Sequence, residues 1–212
     1  MKTFIKIAFG LVLISIIATI FVYPSLPAKV PSHWNFNWEI DGYANKNFVF
    51  FTALLPFAIY LFLILVPKID PRRDSYAKHQ KAYGVFSAFM MLFLVIIHWL
   101  TVLTALKMSI NPQLVFSLAL GALFMIIGNY MSQIRPNYTF GIKTPWTLAD
   151  PTVWKKTHRQ GSFAFMATGI IFILSGILGN SYLMLGAFIF IIVSTIYLFI
   201  YSYLEFKKIK LN

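Results

Sequence analysis

Four histidines, six carboxylates and no cysteine limit the metal and acid–base chemistry open to this 212-residue chain. Without cysteine, disulfides and thiolate metal sites are excluded, and the redox compartment stays undetermined. His33, Glu39 and Asp41 fall close together, but one imidazole and two carboxylates in this order have no diagnostic metal-ligand spacing. Asp70, Arg72, Arg73, Asp74 and His79 form a second group, which reads as a solvated charge cluster. His98 stands alone deep in an apolar run, where a hydrogen-bonded packing role competes with a proton relay. The His-Glu-x-x-His and Gly-x-Ser-x-Gly patterns and phosphate-cradling loops are absent. This inventory argues against an enzyme and calls for no cofactor and no metal.

The elements that carry these residues are apolar. The chain is 59% hydrophobic and 11% charged, against about 25% charged in a soluble domain. Six apolar runs, at 5–23, 48–66, 83–106, 114–130, 163–179 and 181–204, approach the ~20 residues that span a bilayer. Backbone polar groups in hydrocarbon need internal partners, so each run is read as a helix. The expected fold is all-α: a polytopic membrane bundle of six transmembrane helices, with a short extended or hairpin-like outward loop and an interfacial cytoplasmic helix. Two regions follow, 1–66 with the first two spans and 67–212 with four more. The first run is read as an uncleaved span, because Ser25-Leu26-Pro27-Ala28 is a poor cleavage site. No run contains Asp, Glu or Arg, whereas proton-coupled transporters usually carry such groups.

Fifteen of the 18 Lys and Arg residues lie on one side of this arrangement, and only Lys29, Lys46 and Lys107 on the other. The bias predicts a multi-pass cell-membrane protein with both termini cytoplasmic. The net charge of +12 is read as orientation signal and contact with anionic membrane lipids, with no direct nucleic-acid binding. Gly179-Asn180-Ser181 forces the last two spans into a tight antiparallel pair. Ser117, Gly121, Gly169 and Gly176 are the candidate points of close helix approach. Pro56 is expected to kink the second span.

The outward loop, 24–47, alternates after its prolines. Trp34, Phe36, Trp38 and Ile40 would face one way, and His33, Asn35, Asn37 and Glu39 the other. Asp41-Gly42 is the hairpin-turn signal. The aromatic face either packs at the membrane interface, where Trp is favoured, or receives an external peptide through His33, Trp34, Asn35, Trp38, Asp41 and Tyr43.

The cytoplasmic loop 131–162 is the other distinctive stretch. Asp150-Pro151 reads as a helix start, with an N-cap and proline at the first position. Trp154 and His158 then share one face, flanked by Lys155, Lys156 and Arg159. That helix lies in the interface with its cations on phosphates, or its face docks a protein partner. Gly141 and Pro145 punctuate the turn-rich segment before it.

Arg135-Pro136-Asn137, then Gly141-Ile142-Lys143-Thr144-Pro145-Trp146-Thr147-Leu148, then Trp154, Thr157, His158 and Gly161, resemble the loop signature of the SdpI family of bacterial membrane proteins. Lys143 replaces the usual Arg. Val30-Pro31-Ser32-His33-Trp34-Asn35 and Asp41-Gly42-Tyr43 resemble the small N-terminal domain of unknown function often found in the same proteins, with Trp38 where a glycine is common. The resemblance implies six spans and immunity to a secreted antimicrobial peptide. It also implies signal transduction, in which a soluble transcriptional repressor is held at the membrane. Arg135, Asn137, Gly141, Lys143, Thr144, Pro145, Trp146, Thr147, Trp154, Thr157 and His158 then become the expected partner-binding residues. The alternative is a small transporter or membrane enzyme acting on a lipid or envelope precursor.

Overall fold

A computed structural model describes residues 2–211, with side chains from Phe4 onward. Among them are eight helices: α1 (Lys2–Val22), α2 (Phe48–Ile69), α3 (Asp74–Lys78), α4 (Gln80–Ala105), α5 (Pro112–Met131), α6 (Pro145–Ala149), α7 (Pro151–Ile177) and α8 (Ser181–Leu211). Two antiparallel strands, β1 (Lys29–Trp34) and β2 (Ile40–Asn45), join α1 to α2. Six helices among the described residues, all but α3 and α6, are long and apolar enough to cross a membrane. The chain is a multi-pass membrane bundle.

Helices α1, α2 and α4 pack together, as do α5, α7 and α8, and α4 against α5 joins the two groups. The tightest seam lies between α5 and α7. A Cβ added at Gly121 would stand 2.7 Å from the Gly169 carbonyl oxygen, and one at Gly169 would stand 2.6 Å from that of Gly121. A Cβ at Gly176 would press on Ser117 at 2.7 Å. The small residues picked from sequence therefore do meet, and they let the two backbones touch where lipid supplies no hydrophobic drive. Pro56 and Pro67 both sit inside α2.

Three elements differ from expectation, the first being the segment at Pro145, read as turn, where the Thr144 cap and Pro145 open the short helix α6. The helix starting at Asp150 is no separate interfacial helix. Asp150 caps it through the Thr152 and Val153 amides, and it continues unbroken into the fifth span. At the hairpin, Asp41-Gly42 lies within β2, and the turn is at residues 35–39. Asn35 makes that turn: its side-chain oxygen accepts from the amides of Asn37 and Glu39, and its amide bonds the Glu39 carbonyl. Trp38 takes the left-handed conformation there, with φ 64°. Gly42 instead gives room to His33 opposite, whose Cβ would be 2.8 Å from an added Cβ.

Candidate functional site

The two ends of the bundle carry different chemistry. At the hairpin end, β1 rests on α4 over a core of Leu26, Val30, Val49, Val102 and Ala105. The turn reaches across to the second helix group. Trp38 packs at a tilt against Phe116 at 5.3 Å, and Phe36 meets Tyr182 edge-on at 5.5 Å. Between hairpin and helices lies a cavity of about 550 Å³, with Trp34, Phe36 and Trp38 on one side and Leu100, Phe116 and Met184 on the other. The aromatic set faces the bundle although strict alternation fails, because the Asn35 turn gathers it there. The indole N–H groups of Trp34 and Trp38 are buried without a partner. His33 pairs with Asp41 at 2.5 Å, and both are exposed, as is Tyr43. Asn35 donates to Glu39, leaving that carboxylate outside the His33–Asp41 pair. Among the described residues no group of three His, Asp or Glu is placed to hold a metal ion.

His98 sits mid-bundle with both ring nitrogens engaged, Nε2 with Thr19 and Nδ1 with Thr52, each at 2.8 Å. It ties α4 to α1 and α2, which is the hydrogen-bonded packing role.

At the opposite end, the 131–162 segment folds back on α7 and α8. Asn137 is fully buried and organises its first turn. Its oxygen accepts from the amides of Thr139 and Phe140, and its nitrogen donates to the carbonyls of Arg135 and Phe140. Gly141 then passes with φ +114° so close to His158 that a Cβ would stand 2.4 Å from Nε2. The ring of His158 is held at both nitrogens: Nδ1 donates to the Trp154 carbonyl at 2.8 Å, and Nε2 accepts from the Ile142 amide at 3.0 Å. A neutral imidazole with the proton on Nδ1 satisfies both. Trp154 stacks on that ring at 4.1 Å and donates to the Ile134 carbonyl.

Thr144 and Thr147 form a reciprocal capping box around α6, with Pro145 at its first position. Thr144 also bonds Ser202 of α8 at 2.9 Å, and Trp146 packs on Phe199 and Tyr203. Lys143 donates to the carbonyls of Tyr138 and Thr139, a task its three-donor ammonium performs without a planar fork. Behind this segment, Glu205 receives Lys156 and Lys208, pinning α7 to α8.

The predicted partner-binding residues thus divide. Asn137, Thr144, Thr147, Trp154, Thr157 and His158 are buried, Gly141 and Trp146 half-buried, and only Arg135, Lys143 and Pro145 exposed. The shared face of Trp154 and His158 exists, but it is turned inward onto the loop. Lys155, Lys156 and Arg159 remain outside.

Asp70 corrects the reading of a solvated cluster. It is 4% exposed and accepts from the amides of Arg72 and Tyr138 and the hydroxyls of Tyr76 and Thr139, joining the α2–α3 turn to the 131–162 segment. Burial pushes its carboxyl up, but the four hydrogen bonds outweigh burial and hold it below the ordinary value. His79 is 3% exposed, with Nδ1 accepting from the Arg135 amide. Burial, then the nearby Arg135 charge, push its pKa down. No local signal separates these two from exposed Arg73 and Asp74, since Tyr138 and Thr139, which bond Asp70, and Arg135, which bonds His79, lie more than fifty residues away.

Both shifts have the same consequence. Asp70 stabilises the fold at neutral pH, and that contribution is lost as pH falls through its lowered folded value. His79 resists protonation in the fold, so stability falls once pH drops below about 6.5, where the unfolded chain takes up the proton. The thermal midpoint of the detergent-solubilised protein should fall on acidification from about pH 7.5 to 5.5, and His79→Gln should flatten that slope. An unchanged slope in the variant would remove His79 from the account.

Residues 133–202 match the SdpI/YfhL protein family, and residues 10–63 match a domain of unknown function, DUF1648. The chain is 27% identical over 200 residues to the Immunity protein SdpI of Bacillus subtilis (strain 168), covering 94% of each protein. No solved structure matches it.

Proposed function

We propose that this chain, which carries an SdpI/YfhL-family region behind a DUF1648 region, is an integral membrane immunity protein that protects its cell against a secreted antimicrobial peptide. The likeness to a protein named for immunity carries this reading, because it runs through the hairpin and the folded-back segment alike. That relative is named for immunity, not for catalysis. The hairpin end faces outward, and the opposite end with both termini is cytoplasmic, in keeping with the cation bias.

The peptide meets the outward hairpin at the exposed His33–Asp41 pair and Tyr43, and presents apolar side chains to the cleft beneath Trp34 and Trp38. On the cytoplasmic side, the buried signature residues act as a frame. The frame holds out Arg135, Lys143, Lys155 and Arg159, a basic face suited to the acidic surface of a soluble transcriptional repressor. In this reading Trp154 and His158 position that face without touching the partner.

Expression in a sensitive host should raise the tolerated dose of a killing peptide. Trp34→Ala with Trp38→Ala should reduce protection at equal membrane level. Equal tolerance with and without the protein would overturn immunity, and full protection by the double variant would remove the hairpin from it. Orientation is read in the same cells. Asn37→Cys should react with an impermeant thiol reagent before lysis, and Thr152→Cys only after it.

A further inference from the structure

A groove of about 480 Å³ opens between α1, α2 and the α3–α4 corner, at the end of the bundle opposite the hairpin. Ile5, Leu63, Ile64 and Pro67 line it together with Tyr76 and Tyr83. Both tyrosine hydroxyls are already committed, Tyr76 to Asp70 at 3.0 Å and Tyr83 to the Leu63 carbonyl at 2.6 Å, so the rings act as apolar walls. The polar side chains in the lining, apart from those tyrosines, are Lys68 and Gln80. Lys68 lies in the last turn of α2 and is exposed. Lys6, Lys78 and Lys81, each next in sequence to a lining residue, are exposed as well, and Asp74 is the exposed carboxylate of α3. An apolar trough on spanning helices, with the Lys68 ammonium in its lining, has the polarity of a single lipid: chain below, anion above.

We propose that this groove binds an acyl chain of an anionic phospholipid, with the headgroup phosphate on Lys68. The site goes beyond immunity and does not depend on it. It also bears on the folded-back segment, because the Tyr76 ring in the groove carries the hydroxyl that bonds Asp70, the residue that holds Tyr138 and Thr139. Bound lipid would therefore brace the α2–α3 turn against that segment.

The test uses the full chain purified from vesicles of phosphatidylcholine and phosphatidylglycerol in equal parts, with retained lipid counted by native mass spectrometry. One rim cation near the surface should give about fivefold preference for phosphatidylglycerol. Lys68→Gln removes the charge in the lining and should lower the preference about fivefold, with the detergent thermal midpoint unchanged. Ala77→Trp places an indole in the groove from an exposed position and should cut retention of both lipids. Equal retention of the two lipids by the unaltered protein would overturn the proposal. So would a preference undiminished by Lys68→Gln, or full retention by Ala77→Trp. Peptide tolerance is not a readout here, so failure of this site leaves the immunity reading standing.

Discussion

Trp154→Ala is expected to destabilise the protein by roughly 3–5 kcal/mol, the range for truncating a buried aromatic in a packed core. Trp154 is 1% exposed, packs with Met131 and Ile134, stacks on His158 and donates to the Ile134 carbonyl. Its removal opens a cavity under the 131–162 segment and leaves that carbonyl without its donor. The measurement is a thermal scan of detergent-solubilised protein alongside membrane abundance. Lys155→Ala, exposed on the same helix, serves as control and should fall within about 0.5 kcal/mol of the parent. Normal abundance and an unchanged midpoint in Trp154→Ala would mean that the segment is not held by this contact, and would return Trp154 to the pool of docking residues.

Gly141→Ala should cost about 3 kcal/mol through a different mechanism. At φ +114° an L side chain is strained, and such strain costs roughly 1–3 kcal/mol. The new Cβ would also sit 2.4 Å from His158 Nε2 and 3.2 Å from Trp154, forcing the imidazole away from the Ile142 amide. Leaving the half-buried Ile142 amide without its acceptor costs about 1 kcal/mol more, the low end for an unmade bond. A double-mutant cycle separates the two contributions. With His158→Ala in place the clash with Nε2 disappears, so Gly141→Ala should then cost only the backbone strain and the 3.2 Å approach to Trp154. Strict additivity of the two substitutions would show that the close approach to His158 is not felt.

These two predictions change what the signature stands for. Gly141 gives the approach, Ile142 the donor, Thr144 and Thr147 the cap, Trp146 the contact with α8, and His158 the acceptor. A sequence this particular reads first as a binding surface, because function is the commonest reason for exposed polar and aromatic residues in a loop. The same particularity is needed to fold irregular backbone back onto the ends of membrane helices, where every buried amide and carbonyl must find a partner.

The sequence alone determined the six spanning helices, their cation bias, the cap at Asp150, and the small-residue seam of α5 and α7. Each of these is local or periodic: run length, charge between runs, a capping pattern, a spacing of glycines. Tertiary structure alone decided that Trp154 and His158 face inward, that Asp70 and His79 are buried, that the hairpin turns at Asn35 rather than at Asp41-Gly42, and that Lys156 finds Glu205. In each case the deciding partner is remote in sequence or competes locally on nearly equal terms. Asp70 is exposed or buried according to Tyr138 and Thr139, sixty-eight and sixty-nine residues onward. At the hairpin, Asp-Gly offers a good turn, but Asn35 accepts two amides from its own loop and sets Trp38 against Phe116. A turn that also packs an aromatic onto the bundle wins over one that closes strands in isolation, because a two-stranded hairpin has little stability of its own.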